Sequence, residues 1–227
     1  MQRRKFTSGL VCLGGLWTLD ARAAGITEGD AALGVRAALE RGAIAAVALL
    51  GRNGGFLDNP KVRIQLPGYL NEAAKVLKYT GQQRRVDELV TAMNRAAEAA
   101  VPEAKALLVN AVKSMSVEDG RQILTGGDDS ATQFFAGKTR APLSVKFLPI
   151  VTRATEKVSL ADKYNKVAGQ VASLGLVSKD EANIQSYITG KALDGLYLII
   201  GEEERKIRQD PIGTGSAILK KVFGSLR

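Results

Sequence analysis

The stretch QSYITGKALDGLYLIIGEEERKIRQDP, residues 185–211, carries the clearest fold signal in the chain. Large apolar residues such as Leu196, Ile200 and Ile207 recur through it at the spacing that places side chains on one face of an α-helix. A Ser178-x-x-Glu181 pattern upstream favours a helix start, and Pro211 favours a stop. The stretch therefore predicts one long helix in an all-α protein.

The same helical period runs through nearly the whole chain, with capping or breaking residues between segments. The predicted helices cover about 27–50, 68–80, 82–100, 102–115, 116–124, 130–137, 141–158 and 160–173, followed by 178–211 and an amphipathic tail at 215–223. Pro149 is expected to kink or split the helix that contains it.

One short segment has a different period. Val62, Ile64 and Leu66 alternate between Pro60 and Pro67, which predicts an extended segment that cannot form a sheet alone. Together these elements predict a compact single-domain bundle of about eight to ten helices over residues 24–227. A chain of this length buries roughly 70% of its unfolded surface, enough for a sizeable core.

The first 23 residues, MQRRKFTSGLVCLGGLWTLDARA, have the composition of an export leader. Arg3, Arg4 and Lys5 form a basic start, an apolar stretch follows, and residues 21–23 give an A-x-A cleavage pattern. The arginine pair resembles a twin-arginine signal, although the general export route stays open. We therefore predict a cleaved leader and a periplasmic protein.

Two alternative roles for the leader are an uncleaved membrane anchor and a lipid anchor at Cys12. Its apolar stretch has about 14 residues, including three glycines, whereas a spanning helix needs roughly 20 apolar residues. Val11, before Cys12, is larger than the residue that a lipid-attachment site prefers. We therefore expect no lipid anchor and no transmembrane segment in the mature chain.

The mature chain lacks the residues on which many active sites are built. The sequence contains no His, and cleavage removes Cys12 and Trp17, its only Cys and its only Trp. This composition argues against zinc and copper sites and excludes Ser-His-Asp and Cys-His nucleophiles. No calcium-loop, phosphate-loop or dinucleotide motif occurs, so no cofactor is indicated.

The charge is basic but diffuse. The full chain has a formal net charge of +9, and the leader holds four of its 32 cationic and one of its 23 acidic residues, which leaves +6. This bias suits a partner with an anionic surface, such as a lipid or another envelope component. Because the aromatic residues are scattered, no stacking platform for nucleic acid is indicated.

The acidic run Glu202-Glu203-Glu204 contains the first candidate for a ligand or ion site. Glu202 and Lys206, and Glu204 and Arg208, have the spacing of exposed helix pairs. Glu203 shares a stripe with apolar residues, so we expect it to be partly desolvated and to need a partner. That partner is an arginine from a neighbouring helix in the structural interpretation, and a ligand or ion in the functional one.

Two further polar groups allow the same two interpretations. Asp128 and Asp129 precede a predicted helix start, where they would cap free amides or bind a cation. Asn94 and Glu98 lie one helical turn apart, where they would satisfy groups of a neighbouring helix or line a polar pocket. With Asp58 and Glu203, these residues are the candidate polar site of the chain.

Four ordered stretches resemble one bacterial family of exported helical proteins, the DUF4197 family, a domain of unknown function. They are GFLDNPKVRIQLP (55–67), MNRAAEAAVPEAK (93–105), MSVEDGRQILTGGDDSATQFF (115–135) and KALDGLYLIIGEEERKIRQDP (191–211). The resemblance implies an all-helical domain in the cell envelope and implies no activity, cofactor or catalytic residue. Similar proteins often carry a lipoprotein-type leader, whereas this chain shows the A-x-A pattern, so we expect no lipid anchor here.

Two hypotheses about function follow. The first is a non-enzymatic envelope module that binds a protein, a lipid or an anionic component, based on the basic helical body and the amphipathic tail. The second is a hydrolase or ligand-binding protein that depends on a hard cation held by Asp58, Asp128, Asp129 and Glu203. The second hypothesis requires these four carboxylates to converge in space.

Overall fold

The structure is a computed structural model that describes residues 28–68, 79, 81, 83–156, 162, 164–165 and 183–210. Within these residues the regular secondary structure is helical and no β-strand occurs, which confirms the predicted all-α class. The α-helices are α1 (Glu28–Leu50), α2 (Gln83–Ala100), α3 (Ala104–Lys113), α4 (Val117–Thr125), α5 (Ser130–Thr155) and α6 (Ile184–Gln209), and a 3-10 turn, Val101–Glu103, joins α2 to α3.

The α6 helix packs against α1, α2 and α5. It begins after Asn183, whose side chain accepts the Ser186 N–H, and it ends at Gln209, two residues before Pro211. Its predicted apolar residues are buried, and a narrow line that includes Lys191, Asp194 and Leu198 remains exposed. The stretch 185–211 therefore forms a long helix of the core up to Gln209, as predicted.

Several predicted helix boundaries are confirmed. The α1 helix ends at Leu50, immediately before Gly51. The α4 helix begins with a capping box in which Ser116 accepts the Asp119 N–H and the Asp119 carboxylate accepts the Ser116 N–H. The predicted inner face of α2 is buried along its whole length, at Val86, Leu89, Val90, Met93, Ala97 and Ala100.

The α5 helix corrects one prediction. Instead of a short helix at 130–137 and a longer one at 141–158 that Pro149 kinks or splits, residues 130–155 form one unbroken helix that contains both Pro142 and Pro149. A proline removes one helical hydrogen bond, so the carbonyl groups of Lys138 and Val145 lose their N–H partners. Both prolines and both of these residues are exposed, so water can solvate the carbonyls and the helix continues.

Burial along α5 recurs at every fourth residue, at Ala131, Phe135, Thr139, Leu143, Phe147, Val151 and Thr155. Because four residues turn an α-helix by about 400°, this line advances by about 40° at each step and winds around the helix. The winding lets α5 contact α2, α3, α4 and α6 at different levels. The line two residues away, which includes Ala141, Val145, Pro149 and Arg153, is exposed.

The expected extended segment lies between α1 and α2. Val62 and Ile64 are buried, while Lys61, Arg63 and Gln65 are exposed, and the segment pairs with no strand among the described residues. A turn before it places Gly54 at φ 81°, a conformation that suits glycine. The segment is thus held by side chains of other elements rather than by a sheet.

The predicted helix count is not reached, because the described part of the chain contains six α-helices rather than eight to ten. The merging of two predicted segments into α5 accounts for part of the difference. The predictions for 68–80, 160–173, 215–223 and the leader fall largely or wholly outside the described residues. None of the described helices combines the length and apolar character needed to span a membrane.

Candidate functional site

Asn94, which is fully buried on α2, fixes the extended segment. Its side-chain oxygen accepts the Ile64 N–H at 2.8 Å, and its Nδ2 donates to the Ile64 carbonyl at 2.9 Å and to the Val90 carbonyl at 2.8 Å. The oxygen and both amide hydrogens are therefore engaged with backbone groups. Asn94 serves the fold rather than a pocket.

Glu98, one turn further along α2, is 5% exposed and binds the turn that precedes the segment. Its Oε1 accepts the N–H groups of Phe56 and Leu57, each at 3.0 Å, and its Oε2 accepts Nη1 of Arg95 at 2.6 Å. Burial is the largest single influence and raises the pKa of Glu98. The hydrogen bonds from Leu57, Arg95 and Phe56 together outweigh it and hold the pKa below its ordinary value.

Glu204, 5% exposed on α6, makes the same kind of contact at a second place. Its Oε1 accepts the Ala131 N–H at 3.0 Å, and its Oε2 accepts both the N–H and the hydroxyl of Thr132 at 2.9 Å. These amides are the free donors at the start of α5, where a negative charge is favourable. A carboxylate from α6 thus binds the first turn of α5.

Arg208 completes this second cluster. Its Nη2 donates to Glu204 Oε1 at 2.8 Å, to the Ile123 carbonyl at 2.8 Å and to Ser130 Oγ at 2.7 Å. The space beside the pair is an apolar cavity of about 20 Å³, which holds about one water molecule. A cavity of this size has no room for an organic substrate. The Glu204–Arg208 pair therefore has a structural role, in which it joins α4, α5 and α6.

The structure revises the expectations for the acidic run. Glu203 has a side chain that is 22% exposed and binds Lys206 of its own helix at 2.6 Å, rather than an arginine of a neighbouring helix. Glu202 binds Lys61 at 2.7 Å instead of Lys206. The Glu204–Arg208 pair forms as its spacing predicts, but it is buried and not on the surface. The deeply buried carboxylate of the run is Glu204. The predicted apolar stripe of α6 placed Glu203 on the buried face, but the face that contacts α5 includes the next residue instead.

The remaining candidate acids are on the surface. Asp58, Asp128 and Asp129 are exposed. Asp129 precedes α5 but makes no side-chain cap, and its carboxylate accepts Nε2 of Gln133 at 2.8 Å. The N–H groups at the start of α5, which Asp128 and Asp129 were expected to cap, are instead bound by Glu204, a residue more than 70 positions away on α6.

The candidate residues do not assemble into one site. Asn94 and Glu98 hold the segment at 55–64, whereas Glu203 and Glu204 lie on α6 and bind other groups. Among the described residues, no three acidic side chains come close enough together to hold a metal ion. The convergence that the cation-dependent hypothesis requires is therefore not seen at these positions.

A surface groove of about 440 Å³ runs between the extended segment and α6. Lys61 and Arg63 line one side, and Tyr187, Lys191 and Asp194 line the other. The Tyr187 hydroxyl donates to the Gln65 carbonyl at 3.0 Å, and Lys191 lies over the Tyr187 ring, 5.8 Å from its centre. The charged lining residues are three cations and one acid, so the groove has a net positive charge, although Lys61 also pairs with Glu202 and Lys191 pairs with Asp194.

The family model described as a protein of unknown function, DUF4197, matches residues 25–224. The chain belongs to the DUF4197 family. Neither a curated protein nor a solved structure matches it. The resemblance inferred from the four sequence stretches is thereby confirmed, and it brings no assigned activity.

In this DUF4197 protein the four stretches that carry the resemblance contact one another in pairs. Residues 93–105 hold 55–67 through Asn94 and Glu98, and residues 191–211 hold 115–135 through Glu204 and Arg208. The first and last stretches also meet, where Lys61 binds Glu202. The sequence analysis predicted the Glu204–Arg208 pair but placed it on the surface. It did not indicate that Arg95 binds Glu98, three residues away, or that Thr132 binds Glu204, which is 72 residues away.

Proposed function

We propose that this protein is an exported, non-enzymatic helical module that binds an anionic partner in the cell envelope through its basic surface. The observation that carries the non-enzymatic part is the engagement of the two carboxylates that are buried among the described residues. Glu98 and Glu204 each accept two consecutive backbone N–H groups and an arginine. Such saturated carboxylates are poorly suited to act as acid, base or nucleophile.

The basic surface supports the binding part of the proposal. Lys61, Arg63 and Lys191 line the groove beside α6, and further exposed cations lie on the adjacent helix α5. Asp194 links the two regions, because it pairs with Arg140 of α5 and with Lys191 of its own helix. Cations spread over neighbouring elements attract a polyanionic surface more readily than a single small anion.

Export is tested by fractionation and intact-mass measurement of the protein from its host. We expect a soluble periplasmic species that begins near Ala24 and carries no lipid. A full-length species that retains Met1 in the cytosolic fraction would contradict the proposal.

Binding is tested by sedimentation of the purified protein with washed envelope membranes at low and high ionic strength. We expect the protein to sediment with the membranes at low salt and to be released as salt screens the charges. A protein that stays in the supernatant at every salt concentration is not an envelope-binding module. This experiment succeeds whether the partner is a lipid, a polymer or a membrane protein.

A further inference from the structure

The exposed side of α5 combines apolar and cationic residues. Val145 is 75% exposed and Leu148 is 40% exposed, although both are large aliphatic side chains. Ala141, Pro142 and Pro149 are exposed beside them and add further apolar surface. Most large apolar residues of the described chain are buried in the core, so this cluster on one helix is unusual.

The charges of α5 all have one sign. Its 26 residues include Lys138, Arg140, Lys146 and Arg153, and they include no Asp or Glu. Arg140 is engaged, since it pairs with Asp194 and its guanidinium lies 5.6 Å from the centre of the Tyr197 ring. Lys146 and Arg153 are exposed and form no ion pair with a described residue. They flank the apolar cluster and are available to a partner.

We propose that this face of α5, the α5 face, binds the headgroup layer of an anionic phospholipid bilayer. The inference rests on the proposed function and names its partner. An interfacial helix combines apolar residues that reach the acyl boundary with Lys or Arg that attract anionic headgroups. On the α5 face, Val145 and Leu148 are the apolar residues, and Lys146 and Arg153 are the cations.

The prolines favour a bilayer surface over a deeper position. The carbonyls of Lys138 and Val145 lack helical N–H partners because of Pro142 and Pro149. An unpaired carbonyl is costly in hydrocarbon, where no water is present, but it is satisfied in the hydrated headgroup layer. The α5 face therefore lies on the membrane and does not enter its core.

Charge argues against a second copy of the chain as the occupant of the α5 face. In a two-fold symmetric dimer the same patch meets itself, so the cations of one α5 would face those of the other. No acidic residue within α5 would compensate them. Anionic phosphate groups supply the compensating charge that a second copy lacks.

The test measures binding of the full protein, as processed in vivo, to vesicles of phosphatidylethanolamine with phosphatidylglycerol. Vesicles of phosphatidylcholine alone are the uncharged reference. We expect binding only to the anionic vesicles and a decrease with added salt. Since each Lys or Arg near such a surface contributes about fivefold, the double variant Lys146→Glu with Arg153→Glu should bind at least about tenfold more weakly.

Matched variants separate the α5 face from the net charge. Lys105→Glu with Lys113→Glu changes the charge by the same amount on exposed positions of α3, and it should retain most of the binding. For the apolar part, Val145→Ser with Leu148→Ser should weaken binding, while Val117→Ser, at a half-exposed position of α4, should not. Equal losses in the α5 and α3 charge variants would overturn the assignment of the α5 face.

Two further outcomes also overturn the inference. Binding to native envelope membranes that protease treatment abolishes, without binding to protein-free anionic vesicles, indicates a protein partner and leaves the proposed function standing. A concentration-dependent dimer in analytical ultracentrifugation that Val145→Ser with Leu148→Ser disrupts indicates that a second copy covers the α5 face. Failure to bind either membranes or vesicles defeats both proposals together.

Discussion

The side-chain amide of Asn94 pairs with both the N–H and the C=O of Ile64, at 2.8 and 2.9 Å. These are the two backbone hydrogen bonds that a residue in an adjacent β-strand would make. One helical side chain thus replaces a neighbouring strand for the extended segment. This contact explains how an isolated extended stretch stays ordered on an all-helical protein.

Replacement of Asn94 by Ala should destabilise the protein by about 2–4 kcal/mol. It leaves the buried N–H and C=O of Ile64 without partners, and an unsatisfied buried group costs about 1–3 kcal/mol. Urea unfolding followed by circular dichroism measures the change. Asn110→Ala is the control, because Asn110 is exposed on α3 and its loss should change the free energy of unfolding by less than about 0.5 kcal/mol. Similar effects of the two substitutions would contradict the role assigned to Asn94.

The helices of this fold could be predicted because their signals are local. Ser116 and Asp119 are three residues apart and form the predicted capping box, and Gly51 ends α1 where expected. The extent of α5 was predicted wrongly, because residues 130–137 and 141–158 were treated as separate helices and Pro149 was expected to kink or split the second one. A proline weakens a helix less where water can reach the carbonyl that it frees. The exposure of Lys138 and Val145, whose carbonyls are freed by Pro142 and Pro149, is set by tertiary packing and not by local sequence.

Glu204→Gln should destabilise the protein by about 3 kcal/mol, whereas Glu203→Gln should cost less than about 1 kcal/mol. The first substitution leaves Arg208 without its buried counter-charge, and the second removes a partly exposed pair with Lys206. Thermal and urea unfolding of both variants measure the difference. If Glu203→Gln destabilised the protein more than Glu204→Gln does, the sequence-based prediction that Glu203 is the desolvated carboxylate of the run would stand.

A metal titration completes this comparison of the acidic run. Calcium or magnesium should leave the melting temperature of the native protein unchanged, because Glu203 binds Lys206 and Glu204 binds amides and Arg208. A ligand that binds only the folded state raises the melting temperature as its concentration increases. A metal-dependent rise that disappears in Glu203→Gln would support the cation-dependent alternative instead.

The candidate site was harder to predict than the helices, since its contacts join residues that are distant in sequence. The spacing of Asn94 and Glu98 left a structural role and a polar pocket open. Their contacts favour the structural role, although the partners lie in the extended segment and the turn before it rather than on a neighbouring helix. The partners of Glu204 are Ala131 and Thr132, which lie more than 70 residues away. Helical periodicity indicates which side of a helix is buried, but adjacent residues at the edge of that side are not distinguished. It therefore could not show that Glu204, rather than Glu203, is the buried one.

Acid should weaken the protein partly through Glu98. Its pKa is lower in the folded state than the ordinary value of 4.5, so the folded state binds fewer protons than the unfolded state. Its contribution to stability is therefore complete above pH 4.5 and is lost as the pH falls through the folded pKa. Melting temperatures from pH 7 downward should show a steeper acid decrease for the native protein than for Glu98→Gln, which has no carboxylate to protonate at this position. Glu118 and Asp119 also have lowered pKa values, but they are unchanged in the variant and cancel in the comparison. Parallel curves for the two proteins would show that Glu98 is not linked to folding.

Gly195→Ala should destabilise the protein by about 1–3 kcal/mol, because α6 touches the turn before the extended segment at this point. A methyl group on Gly195 would lie 2.8 Å from Cε1 of Phe56 and 3.2 Å from Cβ of Val62, and Phe56 is fully buried and cannot move aside. Gly190→Ala is a matched control on the same helix, since a methyl group there meets nothing within 4 Å. Alanine is the better helix former, so this control should stabilise the protein by up to about 1 kcal/mol. Urea unfolding of both variants should thus give changes of opposite sign. Stabilisation by Gly195→Ala would mean that Phe56 does not pack against α6 in solution.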